Sequence, residues 1–280
     1  MRVGLIALCF LVAGQASAQR MSEEEFARAV RALADDSAET RVEAVDAIGR
    51  RGWRHRRAAT PHLRRLLRHD PAWQVRASSG RAIGRLSVRD AVPDLVAALR
   101  DPQVEVRVVA AAALWRLPDP AAVPALLRLI EDTDPAARQW AALALGVIRD
   151  PRAVEPIASL LDDAEKSVRM DAIRALGRIG HVSALRPLRR FLDSSHGDDE
   201  KNEAVDAIAS VDSPDKVNVL VHLLDHESGS VQSRTIRALG QVGDALAIPA
   251  LRRRRDAMRS PDGRREIDEA IEAIRARMQP

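Results

Sequence analysis

The chain has one cysteine, Cys9, no tyrosine, and only three lysines, Lys166, Lys201 and Lys216, among 44 basic residues. A lone cysteine near the N-terminus leaves the rest of the chain without a disulfide, a thiolate metal site or a cysteine nucleophile. Aromatic residues make up 2%, which is poor for a β-rich domain and ordinary for a helical array of Ala, Leu and Arg. No apolar run reaches the roughly 20 residues that a membrane-spanning helix needs. No HExxH, no GxSxG and no glycine-rich phosphate loop is present, so no motif points to a catalytic centre. The 44 basic residues face 40 acidic ones, a mild balance. Arginine in place of lysine fits genomic base composition as readily as phosphate recognition.

The N-terminus reads as a processed leader. Met1-Arg2 is a short positive start, Val3 to Ala13 is apolar, and Ala16-Ser17-Ala18 fits a small-x-small cleavage site. Residues 1–18 are therefore expected to be a cleavable signal peptide, with the mature chain starting near Gln19 in the periplasm or outside the cell. Cys9 follows Leu8 inside the apolar run, which is not where a lipid-acceptor cysteine stands.

What is there is a repeat. Val75-Arg76 leads to Ala82-Ile83-Gly84, Val106-Arg107 to Ala113-Leu114, Ala137-Arg138 to Ala144-Leu145-Gly146, and Val168-Arg169 to Ala175-Leu176-Gly177, each step being 31 residues. Weaker copies flank these at Arg41/Ala47, at Ala207, at Ala238 and, as a partial unit, at Ala273. Val168, Ala172, Ile173, Ala175, Leu176 and Ile179 recur at helical spacing. A Gly is then expected to end or loosen this first helix. Pro61, Pro93, Pro124, Pro156, Pro187 and Pro249 are each expected at the start of a second, shorter helix.

One helix pair cannot bury both its apolar faces, whereas stacked pairs can. The expected fold is all-α: an α-α superhelix, or solenoid, of about seven helix pairs with capping helices at both ends. Residues 19–34 form the N-terminal cap, 35–258 the array and 259–280 the C-terminal cap. Ser22 and Glu25 read as a capping box ahead of Phe26, Val30 and Leu33. The succession Asp, Val-Arg, Ala-Leu-Gly and Pro before a short apolar helix resembles the HEAT-like repeat of the phycobilisome-lyase type, over roughly Asp35 to Arg255. The resemblance implies the fold. It occurs in lyases, scaffolds and regulators alike, so it implies no single activity.

Asp35, Asp70, Asp101, Asp132 and Asp163 each stand six residues before Arg41, Arg76, Arg107, Arg138 and Arg169. The expected role is a structural ladder, with Asp capping the first helix and pairing with an Arg of its own or the adjacent unit; a charged binding stripe is the alternative. The series fails at Ser195/Lys201 and His226/Gln232, where looser stacking is expected. Trp73, Trp115 and Trp140 lie in successive first helices, as packing residues or as an aromatic strip. His196 with Asp198 and Asp199 has metal-ligand chemistry but reads as a solvated loop. His226-Glu227 resembles the iron-binding pairs of HEAT-like deoxyhypusine hydroxylases, which need several pairs where this chain has one.

The connection from Gly49 to Pro61 is longer than its counterparts and carries Arg50, Arg51, Trp53, Arg54, His55, Arg56 and Arg57. With Arg64, Arg65 and Arg68 it forms the expected binding surface, because insertions in helical repeats often mark the binding face; a solvated loop with Trp53 packed on the end of the array is the alternative. From Arg41 to Arg68 nine arginines face Glu43 and Asp46; from residue 193 to 227 ten acids face two lysines. Such separation also suits head-to-tail self-association. The expected function is a non-catalytic exported scaffold for a protein or an anionic envelope polymer, with no cofactor and no metal. A lyase-like or chromophore-handling enzyme, implied by the resemblance, and a nucleic-acid-binding array are the alternatives; export argues against both.

Overall fold

The structure is a computed structural model that describes residues 20–194 and 196–279. The signal-peptide residues 1–18, Cys9, Gln19 and Ser195 lie outside the described residues. Sixteen α-helices make up most of the described chain, with no strand among the described residues. No helix among them is long and apolar enough to cross a membrane.

A single helix comes first, α1 (Glu23–Ala32). Seven pairs follow: α2 (Ala38–Arg51) with α3 (Arg56–His69), α4 (Trp73–Arg85) with α5 (Val92–Ala98), and α6 (Val104–Arg116) with α7 (Val123–Leu129). Then come α8 (Pro135–Ile148) with α9 (Val154–Ser159), α10 (Lys166–Ile179) with α11 (Leu185–Leu192), α12 (Asp198–Ala209) with α13 (Asp215–Leu223), and α14 (Gly229–Val242) with α15 (Ala247–Ala257). A last single helix, α16 (Pro261–Met278), completes the described residues. The chain divides into two compact units, Met1–Ala125 and Leu126–Pro280, with the division inside α7. In the first unit α1 packs on α2, α2 on α4 and α4 on α6; in the second α8, α10, α12, α14 and α16 pack in succession.

Each long first helix is apolar on the side that meets its neighbours. Val168, Ala172, Ile173, Ala175 and Leu176 of α10 are fully buried, as are Val75 and Ile83 of α4. Helix starts use local caps: Ser22 and Glu25 form the expected box on α1, and Ser37, Asp134, Ser228 and Ser260 cap α2, α8, α14 and α16. Pro93, Pro124, Pro156, Pro187 and Pro249 stand at the second or third position of their helices, where a missing N–H costs nothing. Pro61 does not. It sits inside α3, which begins five residues earlier at Arg56. The insertion is thus an extra helical turn rather than a loop, and Thr60 Oγ1 donates to Arg56 O at 2.7 Å beside the missing N–H.

The repeat glycines also differ from expectation. Gly84, Gly146, Gly177 and Gly240 lie inside their helices rather than ending them. Their role is close approach. A Cβ on Gly146 would lie 2.9 Å from Ala175 Cα, and one on Gly177 2.9 Å from Ala207 Cα. The pattern is interrupted at Trp115, which takes the glycine place in α6 and is half-buried, like Trp73 and Trp140.

Alanine ordinarily stabilises a helix by roughly 1 kcal/mol relative to glycine. At Gly177 it should instead cost on the order of 1–3 kcal/mol, because overpacking against a backbone cannot relax. Gly229→Ala is the control, since a Cβ there meets nothing within 4 Å. Urea unfolding should show Gly177→Ala less stable than wild type and Gly229→Ala unchanged or more stable. Equal midpoints for the two variants would contradict the close-approach role.

Candidate functional site

The arginines of the charged ladder bond two kinds of acceptor, a carboxylate and backbone carbonyls. Arg41 Nε and Nη2 donate to Asp70 Oδ2 and Oδ1 at 2.9 and 2.8 Å, while its Nη1 donates to the Asp35 and Asp36 carbonyls at 2.8 and 3.0 Å. Arg76 repeats this with Asp101 at 2.7 and 2.8 Å and with the Asp70 carbonyl at 2.9 Å. Arg138 repeats it with Asp163 at 2.7 and 2.9 Å and with the Asp132 carbonyl at 2.8 Å. Arg107 donates to the Asp101 carbonyl at 3.0 Å. The Arg41, Arg76 and Arg138 rungs each join an Arg to the next repeat's Asp. The Asp does not cap the helix, as had been expected. Asp70, Asp101 and Asp163 accept the N–H of the residue two places on, at 2.9–3.0 Å, because each stands two residues ahead of the helix cap. Asp35 does the same for Ser37 at 2.9 Å, and Asp132 for Asp134 at 3.0 Å.

From Arg169 onward the ladder changes chemistry. Arg169 pairs with Glu200 at 2.8 Å. His226 takes the Asp place and accepts the Ser228 N–H on Nδ1 at 3.0 Å, and Gln232 takes the Arg place and bonds the His226 carbonyl. Arg264 bonds the Met258 carbonyl at 2.7 Å. The acids of residues 193–227 are largely engaged by their neighbours: Asp199 by Lys166, Glu203 by Arg174, Asp206 by Arg234, and Asp225 by Arg254. His196 stacks on Phe191 with ring centroids 4.7 Å apart and bonds Ser194 Oγ, so its ring is used in packing. The acidic surplus of this stretch is thus largely met by neighbouring side chains.

The basic patch of the first unit is more selective than its sequence. Arg50 pairs with Asp46 at 2.8 Å and Arg51 with Glu25 at 3.1 Å. His55 stacks on Phe26 at 4.5 Å and bonds the Met21 carbonyl at 3.0 Å, holding α1 in place. Trp53 is 51% exposed, with the Arg56 guanidinium 4.7 Å over its ring. Trp53, Arg54 and Arg56, together with Arg20 and Arg51, line a concavity of about 390 Å³. Arg57 and Arg65 are exposed on α3. Arg64 and Arg68 both bond Asp94, a buried acid of α5. Sequence reasoning missed Asp94, yet a signal existed. It follows Pro93 where the other second helices carry Ala125, Ile157, Leu188 and Ala250.

These geometries meet their comparisons at the level of family. An all-α array of paired helices with this ladder is a helical-repeat protein. The model of HEAT repeats matches residues 26–104, 60–146, 92–166, 128–209 and 198–275, and the chain belongs to the HEAT repeat family. Among solved structures it is similar to an engineered protein (22% identity, 88% of this chain and 77% of that one, TM-score 0.55). It is similar to YibA of Escherichia coli (18%, 78% and 81%, TM-score 0.57). It is also similar to the CpcE–CpcF complex of phycocyanin lyase from a Nostoc species (20%, 92% and 97%, TM-score 0.51). At these identities the likeness carries the fold alone. No curated protein matches the chain.

Two of the ladder acids, Asp101 and Asp163, are held below the ordinary carboxylate range. Hydrogen bonds to their acids hold Arg41, Arg76, Arg138 and Arg169 above the ordinary guanidinium range. Arg138 holds the Asp163 carboxyl below its usual range despite burial, with help from the Glu165 N–H. At Asp101 burial pushes upward, but Arg76, the Gln103 N–H and Arg107 together win and lower it. Carboxyls depressed in the folded state stabilise it above their unfolded pKa, about 4, and lose that contribution as pH falls through the folded value. Melting temperatures should therefore fall steeply below about pH 4, and more gently in Asp163→Asn. Parallel acid profiles for wild type and variant would remove the ladder as the cause.

Proposed function

We propose that this HEAT repeat chain is an exported, non-catalytic scaffold whose first unit docks an acidic protein or anionic envelope polymer. One observation carries the reading. An exposed tryptophan with an arginine stacked on it stands among arginines that internal acids leave available. Arg54, Arg57 and Arg65 have no ion pair among the described residues. Arginine beside an indole offers bidentate pairing and stacking to an anionic partner. The complex formed by CpcE and CpcF accords with a helical-repeat chain working against another protein. It gives no support to lyase chemistry here. The internal pairing of the acids near α12 makes a second copy of this chain a poor occupant of the patch.

Replacing Arg54, Arg56 and Arg57 with Ser should weaken binding to a partner captured from the envelope, with melting changed little, since exposed residues contribute little to folding. Binding should also weaken with salt, because such attraction is screened over roughly 10 Å at 0.1 M. Wild-type affinity in the triple variant would move the site elsewhere.

Export has its own test. N-terminal sequencing of the protein from cell fractions should give an envelope form that starts near Gln19. A cytosolic form that keeps Met1 would sink the export reading and reopen the nucleic-acid one.

A further inference from the structure

Asp94 is 3% exposed and holds two arginines at once: Arg68 Nε donates to Oδ1 and Arg64 Nε to Oδ2. The contrast with the ladder is informative. There the guanidinium is consumed, with Nε and Nη2 on a carboxylate and Nη1 on two carbonyls. Arg64 and Arg68 each give Asp94 one of the five N–H groups that a guanidinium carries. Their Nη groups have no acceptor among the described residues, and the side chains remain 33% and 43% exposed. Both line one concavity of about 320 Å³ with Pro61, Arg65 and His69.

Two guanidiniums anchored to the two oxygens of one carboxylate stand side by side, partly exposed and with their Nη groups unspent. A carboxylate ligand has two oxygens and fills one such fork. A phosphate monoester has three terminal oxygens and can accept from both forks. The charge agrees: Arg64, Arg65 and Arg68 against Asp94 leave two positive charges, which a dianion neutralises. Arg65 lines the concavity and adds to its charge without being anchored to Asp94.

We infer that this concavity binds the dianionic phosphoryl group of inorganic phosphate or a phosphate monoester. Arg64 and Arg68 are its ligands, and Asp94 is a positioning residue that does not touch it. The inference deepens the reading of the first unit as an anion-binding surface, and it stands on residues other than the Trp53 cluster.

The test is a calorimetric titration of the full chain with inorganic phosphate at mildly alkaline pH and low salt, with acetate as the monoanion. Saturable phosphate binding and weak acetate binding are expected. Asp94→Asn removes a negative charge beside the ligand. If Asp94 were merely a neighbour, phosphate would bind more tightly. Positioning instead requires binding about tenfold weaker or worse, against the gain in charge. Arg68→Lys keeps the charge, can still reach Asp94 and loses the fork; it should also bind about tenfold more weakly. It carries the test if Asp94→Asn does not fold. Vesicles of phosphatidic acid, set against vesicles of the diester phosphatidylglycerol, separate the sources. Preference for the former assigns a lipid headgroup, and binding of free phosphate alone assigns a soluble ligand.

Absence of saturable phosphate binding below about 10 mM, unchanged or tighter binding in Asp94→Asn, or unchanged binding in Arg68→Lys overturns the inference. The triple variant at Arg54, Arg56 and Arg57 should leave this titration unchanged. If it alone abolishes phosphate binding, the anion sits at Trp53; the inference then falls while the basic patch survives as the docking surface.

Discussion

An arginine that grips its own unit's entry carbonyls and the next unit's carboxylate together is the interaction on which the order of helices within each unit of the chain depends. The ladder side chains are nearly sequestered: Arg41 and Asp70 are 11% and 4% exposed. Ion pairs of this kind gain little net stability, since desolvation offsets much of their attraction, yet breaking one by removing a single partner costs about 3–5 kcal/mol. The cohesion itself comes from the apolar faces of α4, α10 and their neighbours, and from the small residues that let helix backbones meet. The arginine supplies register. An Ala- and Leu-rich face can slide by a turn at little cost, whereas a rung that needs two carbonyls and one carboxylate cannot.

The substitutions toward the C-terminal end follow from that logic. Register needs a donor at one position and acceptors at fixed distances, and the charges are incidental to it. Gln232 and His226 keep the geometry without a guanidinium or a carboxylate, and Arg264 keeps the half that involves a carbonyl. Charge reappears elsewhere in these helices, in the contacts of Arg234 with Asp206 and Arg237 with Glu266. The acidic composition of α12 is thus a store of acceptors for adjacent arginines, and its apparent surplus disappears once neighbours are counted.

Periodicity made the repeat, the seven pairs, the single helices at either end and the capping box legible in the sequence, because each depends on spacing within one or two helices. What spacing does not encode is which neighbour a side chain meets. Asp70 and Arg76 look like partners six residues apart, yet the carboxylate belongs to Arg41 and the guanidinium to Asp101. Gly177 looks like a helix terminator, and only the position of Ala207 explains it. The basic patch was legible as composition, but the sequence could not show that Trp53 stands exposed or that Arg50 and Arg51 answer local acids. Arg64 and Arg68 were legible as members of a basic surface, but not as a pair ordered by one acid, because Asp94 lies about a full repeat away.

The rungs also bear on how such a chain can grow. Successive ladder acids, Asp70, Asp101, Asp132 and Asp163, are 31 residues apart, and every arginine carries its carbonyl partners within its own segment. A duplication of that length, cut at any point, therefore regenerates complete rungs on both sides of the junction, because the incoming copy brings the carboxylate that the resident arginine needs. An insertion of another length must be absorbed without disturbing a rung, as the extra turn before Pro61 is. Lengthening by whole units is the inheritance this chemistry tolerates, and local elaboration is confined to the turns between the paired helices.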